Sequence, residues 1–129
     1  MFLKVDVNVR IKDNDIDDIM YTALNGGITY WCWKAQVVGG YLGEYASDQI
    51  SRGGELKVYI GEPFDYEESE TYTLNKELFL KGLGKYLEEC GGFTWTGTSM
   101  VAELETYDFD AEAADMIIQY AIFDEIVYA

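Results

Sequence analysis

The chain has 129 residues, of which 24 are Asp or Glu and 9 are Lys or Arg, so its net charge near neutral pH is −15. This length fits one domain, and a hydrophobic content of 49% exceeds that of a disordered acidic tail. The charge argues against nucleic acid and anionic membranes as direct partners, because both are negative. We therefore expect a folded domain whose natural partner is a basic protein surface.

The residues that are absent or scarce limit the chemistry. The chain contains no histidine, and its two cysteines, Cys32 and Cys90, lie far apart in sequence. A Ser-His or Cys-His pair, a histidine-ligated zinc and a four-sulfur zinc site are therefore excluded. We predict two buried thiols, no enzymatic activity and no cofactor. Without a signal-peptide pattern or an apolar run that spans a bilayer, we expect a soluble, cytoplasmic protein.

The first predicted elements are a strand and a helix. Apolar residues alternate with polar ones from Leu3 to Ile11, which is typical of a strand with one wet face. The run KDND then offers Asp13, Asn14 or Asp15 as N-cap for a helix that ends at the glycine pair 26–27. The spacing of acids at 13, 15 and 17 is also that of a calcium loop, but the required glycine and final glutamate are missing. We interpret these acids as helix-capping residues.

The middle of the chain predicts a β-hairpin with an acidic tip. The segment ITYWCWKAQVVGG favours a strand by its β-branched and aromatic residues, although its periodicity also fits a buried helix. Ser47 is a candidate cap for a short helix through Arg52 that stops at the next two glycines. ELKVYIG and TYTL are predicted strands. Between them lies EPFDYEESE, Glu62 to Glu70, which has five carboxylates and no base.

The C-terminal half predicts two helices and short strands. Asn75 is expected to cap a helix that ends at the glycine pair 91–92, and Asp110 a second helix, AEAADMIIQYAIF. FTWTGTS is predicted as strand and turn, and MVAELETY and the terminal EIVYA as strands. The predicted fold is a single α+β domain with a mainly antiparallel sheet and three to four helices. The positions expected to be buried are Leu3, Val5, Val7, Leu56, Val58, Ile60, Leu83, Leu87, Ile117 and Tyr120.

The distribution of charge indicates where a partner binds. Lys85 is the last basic residue, and residues 86–129 contain ten acids and no base. Glu103 and Glu105 lie two residues apart in a predicted strand, which places their carboxylates ~6.6–6.8 Å apart, about the spacing of successive phosphates on a nucleic-acid strand. Acids near 108–115 equally complement a helix N-terminus, and the acidic tip is equally typical of a solvated loop. The predicted partner-binding residues are Glu103, Glu105, Asp108, Asp110, Asp115, Glu67, Glu68 and Glu70.

The aromatic residues suggest a different function. Trp31, Trp33, Trp95 and eleven tyrosines include faces on which a base can stack, although most large aromatics belong to cores and interfaces. Arg52 beside two glycines fits a backbone nest for a phosphate, although a helix stop is the better account of this pattern. The alternative prediction is therefore a module that binds a small ligand or sequesters a nucleotide signal.

The stretches DIDDIMYTALNGGITYWC, YLGEYASDQISRGGEL and DAEAADMIIQYAIFDEIVYA resemble a family of small proteins of phages and prophages of gut bacteria, for which no activity is assigned. The resemblance implies a phage protein inside a host cell. By analogy with acidic phage inhibitors of host defence, we expect a DNA mimic that inhibits a basic nucleic-acid-binding host protein, of the anti-CRISPR or anti-restriction type. A structural role in the phage and a homo-oligomer remain open.

Overall fold

A computed structural model describes residues 1–61, 70–95, 101–105 and 109–129. Its strands are β1 (Asn8–Arg10), β2 (Cys32–Val37), β3 (Leu56–Ile60), β4 (Thr71–Leu74), β5 (Phe93–Trp95) and β6 (Val101–Leu104). Its α-helices are α1 (Asp13–Thr22), α2 (Lys76–Cys90) and α3 (Ala111–Phe123). A π-helical turn, Ala23–Gly27, extends α1, and a 3-10 turn covers Ala46–Asp48. The predicted α+β class is confirmed.

The strands form two separate three-stranded sheets. One has the order β1-β6-β5, with β1 parallel to β6 and β5 antiparallel to β6. The other has the order β2-β3-β4 and is antiparallel throughout. The predicted hairpin is therefore confirmed as β3 and β4, in which Val58 lies opposite Tyr72. Its predicted acidic tip lies outside the described residues, except for Glu70.

Helix α3 lies at the centre of the core. Ile117 and Ile118 have no exposed surface, which agrees with the nearly continuous apolar character of AEAADMIIQYAIF. Of the ten predicted core positions, six are buried, namely Leu56, Val58, Ile60, Leu83, Leu87 and Ile117. Val7 and Tyr120 are half-buried. Both caps predicted for the long helices are confirmed: Asn75 accepts from Leu78 N at 2.8 Å and Asp110 from Ala113 N at 2.9 Å.

The first predicted strand is much shorter than its pattern. Among its described residues, only 8–10 pair with a neighbour, and Leu3 and Val5 are 89% and 59% exposed. The alternation continues to the N-terminus, but the pairing that the structure describes starts with Asn8 opposite Val101, and residues 96–100 lie outside the described residues. The prediction that Leu3 and Val5 are buried is therefore wrong for the isolated chain.

The predicted terminal strand is also absent. Residues 124–129 contain no strand, because α3 ends at Asp124 in the left-handed region (φ 64°) and the chain turns back. Val127 N and Tyr128 N then donate to the side-chain oxygen of Gln119, both at 2.8 Å, so a side chain replaces the neighbouring strand that EIVYA was expected to find. The ring of Tyr128 stacks on Trp31 at 5.5 Å between centroids.

Two local predictions need correction. The N-cap of α1 is Lys12, whose backbone N donates to the Asp15 carboxylate at 2.9 Å, so Asp15 acts from inside the first turn. The expected helix from Ser47 is a single 3-10 turn preceded by Tyr45. There Asp48 accepts from Tyr45 N at 3.0 Å, while Ser47 is buried and unable to act as an exposed cap.

Candidate functional site

The predicted partner residues of the first sheet and α3 differ in exposure. Glu103 lies in the central strand β6, is exposed, and pairs with Arg10 of β1 at 3.4 Å. Glu105 follows the same strand and is half-buried. Asp110 is exposed, although one carboxylate oxygen caps α3. The two carboxylates predicted to lie on one strand therefore differ: Glu103 is in β6 and has a basic neighbour, while Glu105 follows the strand and is half-buried.

A junction at Gly92 brings three acidic segments together. Helices α2 and α3 run antiparallel, because Lys81 pairs with Asp124 at the end of α3, while Tyr86, further along α2, contacts Phe109 before the start of α3. The Gly92 carbonyl accepts from Glu105 N at 2.9 Å, so the end of β6 meets the end of α2. Gly92 also lies against Phe109, and a Cβ there would be 3.1 Å from that ring. The last turn of α2, the end of β6 and the start of α3 thus converge.

This convergence defines an acidic end of the molecule, which comprises Glu88, Glu89, Glu105 and Asp110. Glu88 and Glu89 are exposed in the last turn of α2, which contains no basic residue. A helix C-terminus carries partial negative charge, so two glutamates there are less favourable than the usual Lys or Arg. Neither forms an ion pair with any residue that the structure describes. Their position costs stability locally, which is typical of charges retained for a function.

Sequence reasoning missed Glu88 and Glu89 as candidate residues. Both belong to the excess of acid after Lys85, but strand spacing and helix N-termini indicate other residues. The signal was available: a helix predicted to end at Gly91 and Gly92 with two preceding glutamates and no base. What the sequence did not contain is the neighbourhood of Gly92, which depends on α2 packing against α3.

Asp115 does not belong to a partner surface. It is 7% exposed, and its carboxylate accepts from Trp31 Nε1 at 2.6 Å, from Tyr30 OH at 2.5 Å and from Gln119 Nε2 at 2.9 Å. Three donors satisfy both oxygens, which is the condition for burying a carboxylate at acceptable cost. The prediction that Asp115 contacts a partner is a mistaken one, because α3 turns this residue toward the segment before β2.

The same network holds the C-terminal segment. Gln119 is fully buried, donates to Tyr128 O at 3.0 Å and accepts from two backbone N–H groups of that segment. Burial of the Tyr30 hydroxyl and its hydrogen bond to Asp115 raise the pKa of Tyr30 to about 12. Tyr30 therefore stays protonated at physiological pH and serves as a donor to Asp115. The cluster holds the C-terminal segment against α3 and the segment before β2.

The remaining predicted acids are Glu67, Glu68 and Glu70, from the acidic run between β3 and β4, and Asp108, which precedes α3 in sequence. Glu70 is exposed, accepts from Tyr72 OH at 3.2 Å, and its carbonyl accepts from Ile60 N. Glu67, Glu68 and Asp108 lie outside the described residues. Among the predicted acids that are described, Glu105 and Asp110 lie at the Gly92 junction, while Glu70 belongs to the other sheet.

Most of the basic residues are engaged elsewhere. The ion pairs join Arg10 to Glu103, Arg52 to Asp17, Lys76 to Asp13, and both Lys81 and Lys85 to Asp124. A hydrogen bond from Lys81, reinforced by the charges of Lys81 and Lys85, lowers the pKa of Asp124. None of these pairs involves Glu88, Glu89 or Asp110.

The features expected of a nucleotide site do not come together. Arg52 donates to Asp48 O at 3.1 Å and faces Asp17, so its guanidinium supports its own loop. Lys34 and Lys57 lie 5.4 and 5.2 Å from the centre of the Tyr59 ring, forming a small basic aromatic face on β2 and β3. Two cavities, of 720 and 380 Å³, have neither these residues nor a tryptophan in their walls.

Metal and thiol chemistry find no support in the described part of the chain. It contains no group of three or more His, Cys, Asp or Glu side chains placed to hold a metal ion. Cys32 is buried, which raises the pKa of its thiol, but Cys90 is exposed, so the prediction of two buried thiols is wrong for Cys90. Cys90 is the last residue of α2.

Among the described residues, no helix combines the length and apolar character needed to cross a membrane. Comparison of the chain with protein-family models, with curated proteins and with solved structures finds no match in any of the three. The resemblance to phage and prophage proteins therefore stays a prediction.

Proposed function

We propose that this protein is a non-enzymatic inhibitor, encoded by a phage or prophage, that binds a basic nucleic-acid-binding protein of the host cell. Its acidic surface imitates the phosphate backbone and occupies the groove in which the host protein holds nucleic acid. A host restriction or CRISPR nuclease is the most concrete partner of this kind, because its nucleic-acid channel is lined with Lys and Arg.

The observation that carries the proposal is the acidic end. It combines acids from α2, β6 and α3 at one junction, and the chain after Lys85 adds no base to neutralise them. Exposed like charges at the C-terminus of α2 are unfavourable in the free protein. A basic partner surface removes this repulsion on binding, so the same charges that destabilise the free domain favour the complex.

The partner surface differs from the one predicted by sequence. Asp115 is excluded by its burial, and Glu103 contributes less because Arg10 shares its charge. Glu88 and Glu89 replace them, and Glu105 and Asp110 remain. Glu88 and Glu89 lie in α2, Asp110 caps α3 and Glu105 directly follows β6, so the backbone that carries these carboxylates is held by helices and a strand and needs little ordering on binding.

The test is displacement of duplex DNA from purified restriction and CRISPR nucleases of gut bacteria. In the variant Glu88→Gln, Glu89→Gln, Glu105→Gln and Asp110→Asn, side-chain size is kept and Asn still caps α3. We expect its affinity for the nuclease to fall about tenfold or more, mainly through slower association, and its dependence on salt to weaken.

A matched control neutralises four exposed acids elsewhere: Asp18→Asn, Glu44→Gln, Glu55→Gln and Glu77→Gln. It changes the net charge equally and should retain affinity to within about twofold, if position at the acidic end matters more than total charge. Equal loss in both variants would assign the effect to net charge alone. A wild-type protein that displaces no DNA from any nuclease of the panel would reject the proposal.

A further inference from the structure

The N-terminal arm, residues 1–7, has an apolar strand pattern and pairs with no other residue that the structure describes. Met1, Phe2, Leu3 and Val5 are exposed, whereas Val9 and Ile11 further along the same alternation pack against the core. The arm leads directly into β1, which is an edge strand of the sheet β1-β6-β5. An exposed apolar strand at a free sheet edge is a template for pairing with another strand.

A groove lies beneath this strand. It has a volume of 720 Å³, with residues 4–7 and Val9 along one side and Leu80, Leu87 and Glu88 of α2 along the other. Val7 and Val9 are half-buried whereas Asp6 and Asn8 are exposed, so the apolar face of the arm points toward α2, but one strand is too narrow to cover that helix. A further strand along the free edge of β1 would extend the apolar surface that covers the groove.

Charge indicates which strand fits this edge. Residues 1–12 contain Lys4, Arg10 and Lys12 against the single acid Asp6, in a chain whose net charge is −15. Arg10 is already paired with Glu103. Lys4 and Asp6 form no ion pair with another described residue, and they lie on the polar face of the strand, two positions apart. A neighbouring strand complements them if it places an acid opposite Lys4 and a base opposite Asp6. A second copy of the arm, running antiparallel, meets this condition.

We propose that the arms of two copies pair antiparallel about a two-fold axis through Val5, joining two three-stranded sheets into one sheet of six strands. In this register Val5 lies opposite Val5 and Leu3 opposite Val7 on the apolar face. Lys4 lies opposite Asp6 on the polar face, twice by symmetry. Both apolar faces point to the same side of the joined sheet, so each arm helps to cover the other copy's groove.

The neighbouring registers are less favourable. Shifting the axis to Asp6 places Asp6 opposite its own copy, and shifting it to Val7 places Lys4 opposite Arg10, so like charges face each other. An axis at Asn8 pairs Asp6 with Arg10, but it competes with the Arg10–Glu103 ion pair and sets Lys4 opposite Lys12. The register at Val5 combines opposite charges with apolar pairs and leaves existing contacts intact.

The interface is small for a dimer. Specific interfaces usually bury about 800 Å² per partner, and a paired arm of seven residues is ~24 Å long. The arm contributes four large apolar side chains that are exposed in the single chain, together with the groove side chains that they cover. We therefore expect a reversible dimer whose population depends on protein concentration.

Reversal of charge tests the register. Light scattering and sedimentation over a concentration series should give a mass approaching twice 14.7 kDa for the wild type. Lys4→Glu alone places a glutamate of one copy opposite Asp6 of the other, and Asp6→Lys alone places a lysine opposite Lys4. Each single change therefore sets like charges against each other and should raise the dimer dissociation constant about tenfold or more. The double variant K4E/D6K restores opposite pairs and should restore the dimer. An equimolar mixture of the two single variants should form a heterodimer.

Lys12→Glu is the matched control, because it makes the same change in charge as Lys4→Glu outside the paired strand.

Val5→Asp places two carboxylates on the axis and should abolish the dimer, while circular dichroism should show an unchanged fold, since Val5 is exposed in the single chain. A wild type that stays monomeric at every concentration overturns the proposal. So does a dimer that both single variants leave intact. Because the readout is mass, failure here leaves the nuclease assay unaffected.

Discussion

Asp115 is a buried carboxylate whose role is set by three side-chain donors. Trp31 and Tyr30 reach it from the segment before β2, and Gln119 reaches it from one turn further along α3. Gln119 in turn binds the backbone of residues 127–128. One acid thus links the start of the second sheet, α3 and the C-terminal segment, which otherwise share few backbone hydrogen bonds.

Replacement of Asp115 by Ala should lower the free energy of unfolding by about 2–4 kcal/mol. The change leaves the buried indole N–H and the Gln119 amide without their acceptor, and hydrogen bonds to charged groups contribute ~1.5–3 kcal/mol each. Urea unfolding monitored by the fluorescence of Trp31 measures the loss. Glu112→Ala, at an exposed position of the same helix, is the control and should change stability by less than about 0.5 kcal/mol. Equal effects of the two changes would contradict a structural role for Asp115.

Helices α2 and α3 approach each other most closely at Gly82. A Cβ at this position would lie 2.4 Å from Ile117 O, 2.6 Å from Ala121 N and 2.7 Å from Ala121 Cβ. Glycine weakens a helix by about 1 kcal/mol relative to alanine, which is the only effect that sequence reveals. The packing shows that this cost accompanies direct backbone contact between two helices. Gly84, two residues on, has no atom within 4 Å of its Cβ position.

Alanine at these two glycines should therefore have opposite effects. Gly82→Ala forces α3 away from α2, and we expect a loss of about 2 kcal/mol or more, as for other overpacked sites. Gly84→Ala should increase stability by roughly 0.5–1 kcal/mol, because only helix propensity changes. Chemical denaturation of both variants measures the difference. A stabilising Gly82→Ala would show that the helices have room to separate at this contact.

At the scale of the whole molecule, repulsion among the acidic residues opposes folding. With a net charge of −15, exposed acids repel one another across the surface, and ion pairs such as Arg10–Glu103 are half-exposed and contribute little. The core that opposes this repulsion is built from all three helices and the inner face of the β2-β3-β4 sheet. Repulsion between solvent-exposed charges is screened beyond ~10 Å at 0.1 M salt.

Stability should therefore rise with sodium chloride. Between low salt and about 0.5 M, we expect the free energy of unfolding and the melting temperature to increase as screening reduces the repulsion among acids. Thermal unfolding followed by circular dichroism measures the trend. The variant neutralised at Glu88, Glu89, Glu105 and Asp110 should show a smaller increase. A wild type whose stability falls over this range would mean that attractive ion pairs outweigh repulsion.

By itself, the sequence determined the α+β class, the caps at Asn75 and Asp110, the β3-β4 hairpin and most of the core. These features depend on local periodicity and on side chains that bind backbone within three residues, so they need no knowledge of distant contacts. It also determined the excess of acid and the absence of histidine, and with them the class of partner that we propose.

Only the tertiary structure decided which apolar and acidic positions are buried. Leu3 and Val5 alternate as well as Val9 does, but they are exposed in the single chain, and EIVYA meets Gln119 instead of a strand. Asp115 and Glu88 look alike in sequence. One faces Trp31 and is buried, and the other is exposed near Gly92, because the packing of α2 against α3 and the path of the chain before β2 set the neighbours of each carboxylate.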